Sequence, residues 1–388
     1  MELADPAVKE QPRLDERQAA VLAIALFLAV RALVALTVSV VADAQGRSAL
    51  RLYTKWDAQW YAGIAENGYG FVRQHEDGRL LADYAFFPLY PAAERFVSTL
   101  TGLGQPVAGV LLSVLASVVA AGGIFAVANR VLGTREAVVA VVLWAAVPVA
   151  VVQTMGYSES LFTALAAWCL YAVLCNRWLL AALLACGAGL TRPVGAAVVA
   201  AVVIAAVVGW LDAPESTRVS GFRRLLDRRF AAVLIAPLGL MGYLGWVAYE
   251  TGDLDGYFAV TQGWGNGLDG GRAFGAWIVG HLVGPSPLLG LAILVGLVAL
   301  VGLVVLCVRQ RLPLPVLVYT VAMVVLALTT SGYFGSKPRY LLPAFPLLFP
   351  VASWLVARPR WVAATALAVA AVGAAAYAAV WLLGPGPP

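Results

Sequence analysis

The amino-acid sequence predicts an all-α, polytopic transmembrane helical bundle. Hydrophobic residues make up 62% of the 388 positions and charged residues only 12%, too little polar surface to solvate a globule of this size. Apolar runs of about 18 to 24 residues recur along the chain, each long enough for a helix to cross a ~30 Å hydrocarbon core. The runs are too long, and too continuously apolar, for the short alternating strands of a membrane β-barrel.

Hydrophobic runs and their breakers give eleven expected spans, near 19–41, 106–129, 135–153, 158–175, 178–191, 193–211, 230–250, 286–308, 313–330, 340–357 and 361–383. The first follows a polar leader, residues 1–18, and runs on without a small-residue cleavage site, so it is expected to remain as a span. With the N-terminus cytoplasmic, fifteen cations fall inside, Arg130, Arg177, Arg309 and Arg358 among them, and every inner loop holds an Arg. Ten fall outside, among them Lys55, Arg73 and Arg79, although the outer loops are much longer. The net charge of +5 is therefore a topology signal and not a mark of nucleic-acid binding. The largest inner loop, 212–229, is Arg-rich and suits anionic headgroups.

The chain reads as one integral membrane domain, 1–388, with long extracytoplasmic loops at 43–105 and 251–285. No repeat of 20–50 residues is visible, and the spans do not form matching halves around broken helices, although Gly and Pro interrupt the chain from Gly187 to Pro193. Cys169, Cys175, Cys186 and Cys307 lie in or beside apolar segments without CxxC or histidine at ligand spacing, and read as small core residues. His75 and His281 are isolated loop histidines. Arg31 is the one cation well inside an apolar run, where such a residue faces a polar cavity or a partner.

The first outer loop holds the most informative string, Lys55-Trp56-Asp57-Ala58-Gln59-Trp60-Tyr61-Ala62-Gly63-Ile64-Ala65-Glu66-Asn67-Gly68-Tyr69. Trp56, Trp60 and Ile64 share one face at helical spacing, so the segment is expected to be a short helix at the membrane interface. Asp57 rides beside that face, at the depth where the head of a lipid substrate lies. An acid in a loop is otherwise a solvated residue or a helix cap, as Glu66 is read here. Asp83 then leads into Ala85-Phe86-Phe87-Pro88-Leu89-Tyr90-Pro91, which is either an interfacial anchor or part of a binding surface.

These strings resemble the GT-C superfamily of multi-spanning glycosyltransferases, and among them the GPI mannosyltransferase PIG-V family with its prokaryotic relatives. The resemblance rests on WDxxWYxxIAxxGY at 56–69, AFFPLYP at 85–91, Tyr157-Ser158-Glu159-Ser160-Leu161-Phe162 at a span start, and Arg192 beside Pro193. It covers roughly the first half of the chain by motif and the second mainly by hydropathy. It implies that Asp57 is the catalytic base and that the reaction inverts configuration in one displacement. The expected sugar is mannose, with a pentose such as arabinofuranose or glucose as the alternatives, and the loop topology puts the site on the outer face of what is expected to be a prokaryotic plasma membrane.

Glycosyl transfer to an alcohol needs a base for the hydroxyl proton and a cationic or metal-assisted setting for the departing phosphate. Nucleotide sugars are cytosolic and no Gly-rich phosphate loop opens a helix, so the expected donor is a polyprenyl-phosphate sugar and the acceptor a glycan or glycolipid. Lys337, Arg339 and Tyr340 stand before a span entrance, where the two cations either grip phosphate or snorkel to the interface. Arg192, at an outer turn, has the same two options. Glu159 either complements a helix dipole or reaches substrate. Trp56, Trp60, Tyr61, Asp83, Gln262 and Trp264 complete the substrate-binding candidates. Asp253-Leu254-Asp255 sits between glycines and reads as a turn; no metal site is assigned, and dependence on a divalent ion stays open. A flippase or transporter of lipid-linked sugars is the competing class. It would place its polar groups near the bilayer midplane and not in one outer loop.

Overall fold

The computed structural model describes residues 15–212, 227–384 and 386. The expected inner loop lies mostly outside the described residues, as do Lys9, Arg13 and most of the C-terminal Pro-Gly-Pro-Pro stretch. The chain folds into helices α1 (Glu16–Ala44), α2 (Ala49–Tyr53), α3 (Asp57–Asn67), α4 (Leu89–Thr101), α5 (Gln105–Val131), α6 (Thr134–Ala146), α7 (Glu159–Leu174), α8 (Trp178–Gly189) and α9 (Gly195–Leu211). There follow α10 (Arg228–Ile235), α11 (Leu238–Thr251), α12 (Gly256–Gly263), α13 (Arg272–Val283), α14 (Pro287–Arg309), α15 (Leu314–Thr329), α16 (Lys337–Leu341), α17 (Phe349–Val356) and α18 (Arg360–Leu383). The strands are one antiparallel hairpin, β1 (Val72–Gln74) and β2 (Leu80–Ala82), with Arg73 opposite Leu81.

Each expected span coincides with helix, yet among the described residues only α1, α5, the α10–α11 run, α14 and α18 are long and apolar enough to cross a membrane singly. Helices α7, α8, α9 and α15 are apolar but shorter, and two expected spans are broken. The stretch expected at 135–153 ends its α-helix at Ala146 and continues as a 3-10 helix over Pro148–Gln153, because proline withholds an amide hydrogen. The stretch expected at 340–357 bends by 78° between Phe334–Leu341 and Phe345–Val356, where Pro343 and Pro346 interrupt it.

Carbonyls freed at such a break need partners inside an apolar bundle. Trp144 Nε1 donates to Leu342 O at 3.1 Å, and Tyr319 OH donates to Pro343 O at 2.7 Å. The bend is thereby fixed, and with it the direction in which Arg339 leaves the chain.

Asp15 and Gln18 form a capping box at the start of α1, which then buries one stripe, Ala19, Ala23, Phe27, Val30, Arg31, Val34, Val38 and Ala42. That stripe packs on α5, α6 and α18. Arg31 finds the partner that a buried cation requires: its Nη2 donates to Thr154 Oγ1 at 2.6 Å. Helix α5 lays small residues against α7, so closely that a Cβ on Gly123 would come within 2.9 Å of the Ala167 Cβ. Most of α14 stands clear of the bundle, with Leu288, Val295 and Val298 exposed, as a lipid-facing helix should be.

Candidate active site

The site is assembled from four distant stretches. Asp57 is the first residue of α3, where a carboxylate favours the positive end of the helix. Trp56, just before it, has φ 55° and ψ −118°, a left-handed-side backbone that costs a non-glycine residue on the order of 1–3 kcal/mol. The expected short helix is present, but of the Trp56–Trp60–Ile64 stripe only Ile64 is buried. Trp56 precedes the helix, and α3 buries Ala58, Tyr61, Ala62, Ile64 and Ala65. Gly156 allows that approach: its amide donates to Tyr53 O at 3.1 Å, and a Cβ there would lie 3.1 Å from the Ala58 Cβ.

Across from α3, Arg339 Nη1 donates to Asp57 Oδ2 at 2.6 Å. Arg339 Nε lies 3.4 Å from Glu159 Oε1, and Arg192 Nη1 is 2.7 Å from the same oxygen. Arg192 Nη1 also donates to Ser158 Oγ at 3.0 Å, and Ser158 shares a 2.7 Å hydrogen bond with the Tyr61 hydroxyl. The result is an alternating row, Asp57–Arg339–Glu159–Arg192. Glu159 is 1% exposed and Asp57 is 27% exposed at its side chain, so the first acid is buried scaffold and the second faces open space. Burial works against the charge of Arg192, but the Glu159 carboxylate and smaller contributions from Tyr61 and Tyr340 together hold the guanidinium above its ordinary value. Burial pushes the Tyr61 hydroxyl up, keeping it a donor. The Arg339 guanidinium also lies 5.1 Å over the Tyr157 ring and 5.4 Å over the Tyr340 ring.

Asp57, Tyr61, Arg192, Arg339 and Tyr340 line a cavity of ≈ 250 Å³ whose remaining wall is largely apolar, with Phe86, Phe87, Val194, Tyr257, Phe258 and Leu326. Five N–H donors on each guanidinium exceed what Asp57, Glu159 and Ser158 take up, so both can still meet an anion in this cavity. The aromatic run after Asp83 is thus a wall of the cavity. It is held by Tyr243 OH, which donates to Phe86 O at 2.8 Å, and by Tyr69 OH, which donates to the same carbonyl at 2.7 Å.

Other expected site residues fall elsewhere. Lys337, two positions from Arg339, lines none of these cavities; its Nζ donates to Ala327 O at 2.7 Å and to Thr330 O, capping the carbonyl end of α15. Residues two apart on a helix point to different sides, which separates the two cations. Asp83 accepts from Phe71 N at 2.9 Å and Gly70 N at 3.1 Å, and so shapes the loop before the hairpin. Burial raises its pKa, and those backbone donors work against the rise. Gln262 is exposed on α12. Trp264 donates from Nε1 to Ala82 O at 2.9 Å and meets Trp60 edge-on with ring centroids 4.8 Å apart, and with Asp57 it lines a second cavity that does not include Arg339. Asp253 Oδ1 accepts from Asp255 N at 3.0 Å, the local turn expected of that pair. Among the described residues no group of three His, Cys, Asp or Glu could hold a metal ion. Ser158 and Tyr157 were legible only as neighbours of Glu159 in its motif, and Thr154 carried no signal.

Residues 87–218 match the dolichyl-phosphate-mannose-protein mannosyltransferase family, a segment that includes Glu159 and Arg192. No curated protein matches the sequence. Among solved structures, ArnT from Cupriavidus metallidurans bound to undecaprenyl phosphate is similar with a TM-score of 0.53 and 16% identity, over 92% of this chain and 76% of that one. The archaeal oligosaccharyltransferase AglB from Archaeoglobus fulgidus, in complex with an inhibitory peptide and a dolichol-phosphate, gives a TM-score of 0.50 and 13% identity, over 93% of this chain and 56% of that one. The largely helical bundle thus shares its fold with these two lipid-phosphate-bound structures, and a segment within it matches a mannosyltransferase family.

Proposed function

We propose that the chain is a membrane glycosyltransferase that moves a sugar, in the first instance mannose, from a polyprenyl-phosphate donor to a glycan or glycolipid acceptor. The observation that carries this reading is Asp57: a partly open carboxylate, held by Arg339 at 2.6 Å, on the wall of a largely apolar cavity that also presents Arg192. The apolar wall suits isoprenoid chain, and the two guanidiniums suit a phosphate. The similar structures carry undecaprenyl phosphate and dolichol-phosphate, which supports the same donor class.

In this reading Asp57 takes the proton of an acceptor hydroxyl while that oxygen bonds to the anomeric carbon. The bond from that carbon to the phosphate oxygen breaks, and its electron pair leaves with the lipid phosphate. Arg339 and Arg192 meet the developing charge, an electrostatic contribution made beside a largely apolar wall. Attack from the side opposite the phosphate inverts configuration. The pairing of both carboxylates with arginine fits a phosphate-binding site better than a metal cluster, so no step is routed through a metal.

The test is transfer by purified protein from radiolabelled polyprenyl-phosphate sugars, mannosyl, glucosyl and arabinofuranosyl, to membrane acceptors. General-base catalysis contributes about 10²- to 10⁴-fold, so Asp57→Asn should lose at least ~100-fold in rate. Equal transfer by both proteins removes Asp57 as the base. Lipid movement across liposomes without transfer from any donor would replace the enzyme with a transporter.

A further inference from the structure

Asp57 belongs to two cavities. The second, ≈ 450 Å³, has no span residue in its wall and is lined beside Asp57 and Gln59 by Lys55, Trp56, Trp60, Arg73, His75 and Trp264. Three indoles and three basic side chains in one cleft are a recognisable combination, since flat aromatic faces suit sugar rings and cations suit an anionic group.

The charge balance decides what kind of ligand fits. Asp57 is already answered by Arg339 on the opposite wall. Asp77 pairs with Arg79 at 2.7 Å and lies 3.0 Å from His75, so its charge is taken up on the hairpin. Among the described residues, Lys55 and Arg73 have no carboxylate within ion-pair distance. Lys55 lies 5.2 Å over the Trp56 ring, and burial followed by the neighbouring Arg47 pushes its pKa down. Arg73 also borders the cleft that contains Asp83, but that carboxylate is held by Gly70 and Phe71 amides. Two uncompensated cations therefore face one open cleft beside the base.

We propose that this second cleft is the acceptor subsite and that it selects a saccharide bearing a phosphate or carboxylate. The anion meets Arg73 and Lys55, the sugar lies against Trp60 and Trp264, and one hydroxyl reaches Asp57. The assignment of the cleft to the acceptor rests on Asp57 being the base, and the anion preference is a further statement that can fail separately. Trp60 is stiffened for this role by stacking on Phe86, with ring centroids 5.6 Å apart and planes 9° from parallel. Trp264 is fixed by its hydrogen bond to Ala82 O. Arg73 sits on the hairpin, which sets its distance from Asp57.

Binding can be read without turnover, by quenching of tryptophan fluorescence in nanodiscs titrated with a short mannan oligosaccharide, with and without a terminal phosphate monoester. The phosphorylated form should bind at least ~10-fold more tightly, the size expected of one charge-assisted contact. Arg73→Ala should abolish that preference, Arg73→Lys should restore part of it, and Arg95→Ala, which alters an exposed cation of α4 that lines none of these cavities, should leave it unchanged. Size-exclusion profiles and melting temperatures check that each variant folds. Equal binding of the two oligosaccharides overturns the anion preference, whatever the transfer assay reports. A preference seen only in phosphatidylglycerol-free nanodiscs, and abolished by that lipid, would assign Lys55 and Arg73 to lipid headgroups and overturn it as well. Tight phosphate-dependent binding that does not compete with transfer would overturn the acceptor assignment while leaving the Asp57 reading intact. No transfer from any donor would instead reject the glycosyltransferase reading.

Discussion

Replacing Glu159 by Gln tests whether this buried acid organises the site. The carboxylate has Arg192 Nη1 at 2.7 Å and Arg339 Nε at 3.4 Å, and its side chain is 1% exposed. At an effective dielectric near 20, a unit pair at the shorter distance is worth about 6 kcal/mol before desolvation. Desolvating the carboxylate takes back several kcal/mol, whereas removing it leaves Arg192 without its carboxylate and Arg339 with Asp57 alone, and breaking a buried pair typically costs about 3–5 kcal/mol. Glu159→Gln should therefore lower the melting temperature of the purified protein by several degrees. It should also lower kcat more than it changes the KM for the lipid donor, because Arg339 then loses the contact that aims it at Asp57. Differential scanning fluorimetry in detergent reads the first effect, and initial rates over a range of donor concentrations read the second. Glu159→Asp, one methylene shorter, should fall between wild type and Gln. An unchanged melting temperature together with an unchanged kcat would refute the view that Glu159 sets the arginine pair.

Arg339→Lys keeps the charge but cannot reach Asp57 and Glu159 from two sides of one planar group, so transfer should drop by about 10- to 100-fold, the loss of one charged hydrogen bond; rates within twofold of wild type would show that charge alone suffices. Glu94, buried on α4 beside α5 with both carboxyl oxygens unpartnered, has its pKa pushed up by burial from 4.5 to about 9. The folded protein thus holds a proton that the unfolded chain releases near 4.5, so the stabilising protonation is complete below that pH and is lost as pH rises through about 9. Within that window wild type should lose up to ~1.4 kcal/mol per pH unit, a decline that Glu94→Gln should flatten; parallel melting-temperature curves between pH 6 and 9 would reject this account.

Hydropathy made the bundle legible, because a chain with this many long apolar runs has one solvent that accepts it. It could not separate full crossings from broken ones. The break at Pro343 and Pro346 is tolerated because distant side chains, Trp144 and Tyr319, take up the freed carbonyls, and at Pro148 the Gln153 amide donates back to Trp144 O at 3.1 Å. The site was legible as single residues: Asp57, Glu159, Arg192 and Arg339 each stood out by chemistry and position. Their union was not legible, since Asp57 and Arg339 are 282 residues apart and no local pattern encodes that contact. Lys55 and Arg73 read along the chain only as outer cations, and it is the folded hairpin that sets them beside Asp57. Likewise Lys337 and Arg339 are near-equivalents along the chain. The direction in which each leaves one short helix turned the first into a cap for α15 and the second into the partner of Asp57. Sequence determined the solvent and the chemistry available to this protein, whereas tertiary structure decided which charges meet, because ion pairing depends on distances that only the packed helices fix.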